Sequence, residues 1–305
     1  MVYPEKYFAV FVMTFQRNSI LEQTILQLFD QSYPPQKVLV IDNDPLQLAQ
    51  EVAEKLSHLP LAYYAIGYNS GPAGAAKKGL ELLSDEGYKW IGWIDDDDPP
   101  IFNDTFEILL KIGSANSKCG CVGAVGQRFN QKNGLMIRVP DAELNGTGIV
   151  EVDNIAGNMS KIVNASVVVQ SGILPDESLF FGFEELDFDL RIKEAGYSII
   201  ADSELYLRNR IHHNRLGFKL KRGLKKPIDK LWREYYSTRN LMLIIKKQKK
   251  YSTLSWLLFK NMIKSILAFK HGFRYGIKNF KYIFLGVFDF LRDRRGNRNF
   301  ASKFH

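Results

Sequence analysis

The chain has 305 residues, 46% hydrophobic and 24% charged, with a formal net charge of +8. That length accommodates one large α/β domain, or a domain of about 200 residues with an appendage, and the apolar fraction without a long low-complexity tract excludes a disordered chain. Two cysteines, Cys119 and Cys121, are too close for an ordinary disulfide and too few for a zinc site, which suits a reducing cytosol.

The charges are segregated. Acids gather at Asp95 to Asp98 and at Glu184 to Asp189, whereas Lys and Arg crowd the chain from Arg208 onward, a pattern that suggests an anionic partner. The start, from Met1 through Lys6 into Phe8, lacks the basic region, apolar run and cleavage site of a signal peptide. Lys, Arg or His interrupts every apolar candidate after Trp256 before about 18 residues accumulate, so no spanning helix is expected.

Tyr7 to Met13 reads as a buried strand, followed by polar Thr14, Gln16, Arg17 and Asn18 and an amphipathic helix over Ile20 to Gln31. Lys37 to Ile41 repeats the strand pattern and stops at Asp42-Asn43-Asp44-Pro45; Leu46 to Leu56 reads as a helix and Ala62 to Ile66 as a strand. Such alternation predicts a mostly parallel sheet with helices on both faces. Ligands of these sheets bind outside the carboxyl ends of the strands. The loops after Met13, Ile41, Ile66 and Ile94 are therefore expected on one edge.

Asn69-Ser70-Gly71-Pro72-Ala73-Gly74-Ala75-Ala76-Lys77 is a glycine-punctuated loop entering a helix. It reads either as a tight turn with a helix start or as a place where backbone approaches an anion, with Lys77 facing a diphosphate. The strand Trp90 to Ile94 then runs into Asp95-Asp96-Asp97-Asp98-Pro99-Pro100. Four adjacent carboxylates repel one another. A solvated acidic turn is one reading; carboxylates at a strand end also suit Mg²⁺ or Mn²⁺, whose shells take oxygen ligands, water and substrate phosphates.

Further along, Gly157-Asn158-Met159 reads as an ordinary turn. Phe180-Phe181-Gly182-Phe183 precedes Glu184, Glu185, Asp187 and Asp189. These acids suit the first turn of a helix, and the aromatics offer an apolar wall that raises a neighbouring acid's pKa. Glu204 to Ile211 reads as a short β-like run before His212 and His213, and Trp232 to Asn240 contains Tyr235-Tyr236 and Arg239-Asn240.

In this order, Thr14 and Arg17, Asp42 to Asp44, Asn69 to Leu80 and Asp95 to Asp98 resemble the donor-binding series of the family 2 glycosyltransferases of the GT-A fold. The resemblance runs from about Phe8 to Asn240. It implies an α/β GT-A domain over residues 1–240, binding a UDP- or dTDP-sugar through Thr14, Arg17, Asp42, Asp44, Asn69, Gly71, Gly74, Lys77, Asp95, Asp96 and Arg239. It further implies a Mn²⁺ or Mg²⁺ ion on Asp97 and Asp95 with His213 or His212, and an acceptor contacted by Phe181, Phe183 and Asn158. The aromatic paired-acid segment is similar to that of galactofuranosyl- and rhamnosyltransferases, though Glu-Glu-Leu-Asp stands where Asp-Asp-x-Glu or Glu-Asp-x-Asp is usual. Glu185 aligns with the catalytic base, with Glu184 and Asp187 beside it.

Residues 241–305 form the expected helical extension, basic and amphipathic, with aromatics interspersed among lysines. It reads as a peripheral anchor on the inner face of an anionic membrane, where a lipid-linked glycan acceptor would lie, or as a helical appendage packed on the catalytic domain or on a second subunit. A nucleotidyltransferase is the rival enzyme, but Thr14 to Ile20 contains no glycine. A nucleic-acid-binding protein is the rival of another class; its phosphates would be repelled by Asp95 to Asp98.

Overall fold

The computed structural model describes residues 6–144, 148–156, 160–217, 225–298 and 300. The chain opens with β1 (Phe8–Thr14), α1 (Asn18–Phe29), β2 (Val38–Asp42), α2 (Gln50–Lys55), β3 (Leu61–Ala65), α3 (Gly71–Asp85), β4 (Trp90–Asp95) and α4 (Thr105–Ala115). It continues through β5 (Cys119–Gly123), β6 (Gln127–Asn130), β7 (Leu135–Arg138), β8 (Ile149–Glu151), β9 (Lys161–Asn164), α5 (Ser166–Val169), α6 (Glu184–Glu194), β10 (Ser198–Asp202) and α7 (Ser203–His212). Three helices finish it: α8 (Arg233–Lys247), α9 (Tyr251–Leu267) and α10 (Phe273–Leu291).

Among the described residues eight strands form one sheet in the order β3-β2-β1-β4-β9-β5-β10-β8, with β6-β7 a separate hairpin. β1 to β4 pair in parallel, while β9 is antiparallel to both β4 and β5. The sheet is therefore mostly parallel, as the alternation predicts. β1, β2 and β4 are buried along nearly their whole length because helices cover both faces. On one face Phe11 and Trp93 pack against α3 and against Phe188 of α6; on the other Phe8 and Trp90 pack against α1 and against Phe106 of α4.

Two local expectations are corrected. α2 starts at Gln50, not Leu46, because the Asp42 and Asp44 carboxylates accept the backbone N–H groups of Asp44, Leu46 and Ala49 and hold those residues in turns. Glu204 to Ile211 is helical, not β-like. Asp202 caps it by accepting from Leu205 N at 2.7 Å, and the strand lies just before, in β10.

The C-terminal helices are integral to the packing. In α8, Leu241 to Ile245 are all buried, joining Leu179, Leu186, Leu190, Leu257 and Phe290 in one apolar cluster. Each such side chain contributes roughly 1.5–3 kcal/mol. The sequence boundary at residue 240 falls inside this helix. α10 crosses α8 so closely that a Cβ on Gly286 would meet the Tyr235 carbonyl at 2.7 Å. No helix of the described residues is long and apolar enough to cross a membrane.

Candidate active site

The four aspartates leaving β4 have different surroundings. Asp96 is buried, accepts from Thr14 Oγ1 at 2.8 Å and from Arg17 Nη1 at 2.9 Å, and its carbonyl accepts from Thr24 Oγ1 at 2.7 Å. Asp97 is half-exposed and accepts from the same guanidinium at 2.5 Å. Burial, reinforced by Glu185, Asp97, Asp96 and Asp98, pushes the Asp95 carboxyl up to about 7. Thr14 and Arg17, expected at the donor, thus hold the aspartate turn from the neighbouring strand.

The acids at the start of α6 meet this turn. Glu184 is 4% exposed, and its Oε2 has no hydrogen-bond partner. Burial first, then Glu185 and Asp95, holds its carboxyl well above the usual carboxylate range. Glu185 is half-buried and raises Asp95 through its charge. Two motifs remote in sequence therefore converge at one edge of the sheet, on a pool of negative charge.

What presents α6 is a strained loop. Phe180 (φ +64°), Gly182 (φ +80°) and Phe183 (φ +68°) all lie in the left-handed region, which costs a non-glycine residue about 1–2 kcal/mol. Asn240 of α8 holds them: its Nδ2 donates to the carbonyls of Leu179, Phe181 and Gly182 at 2.9, 3.0 and 2.8 Å. Arg239 is wholly buried. It donates to Leu179 O, Gly296 O, Tyr235 Oη and Asn240 Oδ1, with the rings of Tyr235 and Tyr236 against its guanidinium. The expected phosphate contact of Arg239 is therefore corrected to a structural role, because its donors are engaged inside the protein.

Asp187 is also corrected. It is buried and paired with Arg191 at 2.8 Å and Lys247 at 2.9 Å, which ties α6 to α8 and leaves it no access to an acceptor hydroxyl. Phe181 packs on Trp232 with ring centroids 4.9 Å apart, and Phe183 stands at the N-terminal boundary of α6 against the apolar cluster of α8. Both remain half-buried at the entrance to the acids. Asn158 lies outside the described residues.

Around the loop after β2, Asp42 is fully buried and spent on Asp44 N, Ala49 N and Tyr63 Oη. Asp44 is buried too, but its Oδ2 has no partner. Asn43 links this loop to the next, accepting from Ser70 Oγ at 2.6 Å and donating to Gly71 O at 3.1 Å, while Asn69 accepts from Gly71 N at 3.0 Å.

α3 begins at Gly71, so Gly71, Gly74 and Lys77 are helical and not in a loop. What approaches Gly71 is protein: a Cβ there would lie 2.2 Å from the Phe180 carbonyl, and one on Gly74 would lie 2.5 Å from Ser70 Cβ. Lys77 is directed to Glu177 at 2.7 Å and not toward the aspartates.

His212 and His213 close α7, stacked edge-on to one another, with His212 against Phe102. Among the described residues no three His, Cys, Asp or Glu groups converge into a metal site, so the structure does not unite either histidine with Asp95 and Asp97. A hard divalent cation needs no closed protein cage: one or two carboxylates with water and phosphate suffice. Asp95 and Asp97 provide an all-oxygen donor pair beside the unpartnered Glu184 Oε2, and this negative cluster fits Mg²⁺ or Mn²⁺.

Sequence reasoning missed two buried groups. Asn240 was visible only as the neighbour of Arg239. Lys161 is wholly buried, salt-bridged to Asp189 at 2.5 Å and set over the rings of Trp93 and Phe188, fastening β9 to α6. A lone lysine at the head of an apolar strand was its only signal.

Residues 9–145 match the model of glycosyl transferase family 2. No curated protein matches the chain by sequence. A mannosyltransferase, PcManGT from Pyrobaculum calidifontis, solved with GDP-Man and Mn²⁺, is similar in structure with TM-score 0.56 at 13% identity, covering 94% of this chain and 87% of that one. S. aureus TarS 1-349 with UDP-GlcNAc gives 0.55 at 14%, covering 94% and 81%. GalNAc-T7 with UDP, GalNAc and Mn²⁺ gives 0.53 at 14%, over 65% of this chain and only 42% of that chain. These likenesses show the GT-A fold.

Proposed function

We propose that the protein is a metal-dependent, inverting glycosyltransferase, which moves a hexosyl group from a UDP- or dTDP-sugar to a hydroxyl of a surface polysaccharide or lipid-linked glycan. The family 2 match over residues 9–145 supports the activity class. The observation that carries the mechanism is the convergence of Asp95 with Glu184 and Glu185 at the carboxyl edge of the sheet. The structurally similar mannosyltransferase and GalNAc-T7 were solved with Mn²⁺, in keeping with a divalent cation here. The galactofuranosyl or rhamnosyl character of the sugar rests on the resemblance of the Phe180 to Arg191 segment.

Glu185, the more exposed of the two glutamates, takes the proton of the acceptor hydroxyl. The oxygen attacks the anomeric carbon from the side opposite the diphosphate, the bond to the diphosphate oxygen breaks, and the configuration inverts. Glu184, buried beside it with its carboxyl held above the usual range by burial, is the alternative proton acceptor. Asp95 and Asp97 would hold the cation, which would supply charge neutralisation for the diphosphate. Asp44 Oδ2 is a buried acceptor suited to an N–H of uracil or thymine.

The test is a thermal-shift series with UDP, dTDP, GDP and CMP, with and without Mn²⁺ or Mg²⁺. A ligand at a hundred times its Kd adds about 2.7 kcal/mol to the folded state. Metal-dependent stabilisation by UDP or dTDP is expected. No stabilisation by any nucleotide diphosphate would overturn the proposal.

A further inference from the structure

The α9–α10 hairpin shows an unusual surface. Of the 28 large hydrophobic side chains exposed among the described residues, 14 lie between Tyr251 and Leu291. α10 has two apolar faces. Tyr275, Asn279, Tyr282, Ile283, Gly286 and Phe290 are buried toward the protein. Phe273, Ile277, Phe280, Phe284, Phe288 and Leu291 form a second stripe at alternating helical spacing that faces out, with Phe273 74% and Leu291 69% exposed. α9 adds Trp256, Met262 and Ile266 to the exposed set. Scattered exposed hydrophobics need no explanation, but a continuous stripe marks a surface that something covers.

The charges around the stripe identify what covers it. From Tyr251 to Leu291 the chain carries six Lys and Arg residues and a single acid, Asp289. Asp289 is buried and taken by Tyr235 and Arg298, so it offsets nothing at the surface. Over residues 246–298 there are 14 Lys and Arg against two acids, an excess greater than the net charge of the whole chain. A second copy pairing along the same stripe would bring these cations face to face. An anionic surface would attract them while it buries the rings.

We infer that the outer face of α9 and α10 docks flat on an anionic lipid bilayer, with the aromatic stripe at the acyl boundary and Lys270, Arg274 and Lys281 at the headgroups. This does not depend on the chemistry assigned to the acidic site.

The experiment is co-sedimentation of the full chain with phosphatidylcholine vesicles, with and without phosphatidylglycerol. Two variants accompany it, Phe280→Asp with Phe284→Asp, and the charge set Lys270→Glu, Arg274→Glu, Lys281→Glu, each checked by thermal melting and light scattering. The wild type is expected to bind vesicles containing phosphatidylglycerol and to release them as salt rises. With about 1 kcal/mol for each basic residue at such a surface, reversing three lowers partitioning at least about a hundredfold. If the aspartate pair does not fold, the charge set carries the test alone. Binding to neither vesicle type, or binding unchanged by charge reversal, would overturn the inference. So would a concentration-dependent dimer dispersed by Phe284→Asp in a protein that ignores vesicles, which would assign the stripe to a second copy.

Discussion

Asn240→Ala tests whether the clamp on the Phe180 to Phe183 loop serves catalysis or only folding. The substitution removes three donated hydrogen bonds and the one Asn240 Oδ1 accepts from Arg239 Nε. The Leu179 carbonyl still accepts from Arg239 Nη2 at 2.9 Å, so two carbonyls, those of Phe181 and Gly182, lose this donor. At about 1–3 kcal/mol for each unsatisfied group, with the two carbonyls partly buried and Arg239 Nε fully buried, the cost is about 3–6 kcal/mol. That is comparable to the roughly 2–4 kcal/mol stored in the left-handed Phe180 and Phe183. Without the clamp the loop can relax and carry Glu184 and Glu185 away from Asp95. Urea unfolding reads the stability, and release of nucleotide diphosphate reads turnover at saturating donor. A displacement near 1 Å costs about a hundredfold in kcat, whereas the donor KM should change far less, since the loops after β1 and β2 are held by their own contacts through Asp96 and Asp42. A stability loss of the expected size with kcat reduced less than about threefold, under 1 kcal/mol of barrier, would refute a positioning role.

Asp97→Ala is expected to abolish metal-dependent thermal stabilisation by nucleotide diphosphate, whereas Glu185→Gln keeps it and lowers turnover by about 10²–10⁴; wild-type turnover in both variants would sink the mechanism. Asp176 is partly buried, which alone would raise its pKa, but hydrogen bonds from Lys247 and Ser178 bring the carboxyl down to about 2. A depressed folded pKa stabilises above the unfolded value and is lost as pH falls through the folded one, so Asp176 contributes about 2 kcal/mol at neutral pH that disappears between about pH 4 and 2. The unfolding gap between wild type and Asp176→Asn should close over that window; a gap independent of pH would contradict the assignment. Truncation after Lys250 removes Asp289 and the Gly296 carbonyl from Tyr235 and Arg239 and uncovers the inner side of α8. The product should lose cooperative unfolding, and a cooperative product that still binds nucleotide diphosphate would make α9 and α10 a separable unit.

The alternation of strands and helices was legible because β1, β2 and β4 are buried on both faces and so read as plain apolar runs. The ordered loops were legible for the same reason, since each polar interruption marks a strand end. Less visible was what each polar side chain touches. Arg239, Asp187 and Lys77 have the residue types of ligand-binding groups, yet each is engaged by a protein partner that the fold brings from elsewhere in the chain. Glu204 to Ile211 misled because its helix is set by one cap, Asp202, and its apolar residues alternate with polar ones over a short stretch. Asn240 left no trace beyond its type, because a clamp made of three carbonyl contacts depends on a loop some sixty positions away.

Gly296 lies far along the chain from the glutamates it helps to position, and this orders events during synthesis. The β1 to β4 half of the sheet can assemble from nearby segments as they leave the ribosome, strand by strand. The Phe180 to Phe183 turn cannot gain its full set of restraints until α8 has emerged and residues 289–296 have returned to it. On the proposed mechanism, a nascent chain stalled before that point would have its β1 to β4 loops folded and its glutamates still unplaced. On that mechanism turnover would wait for residues 289–296, and the basic apolar hairpin would be complete by the same moment.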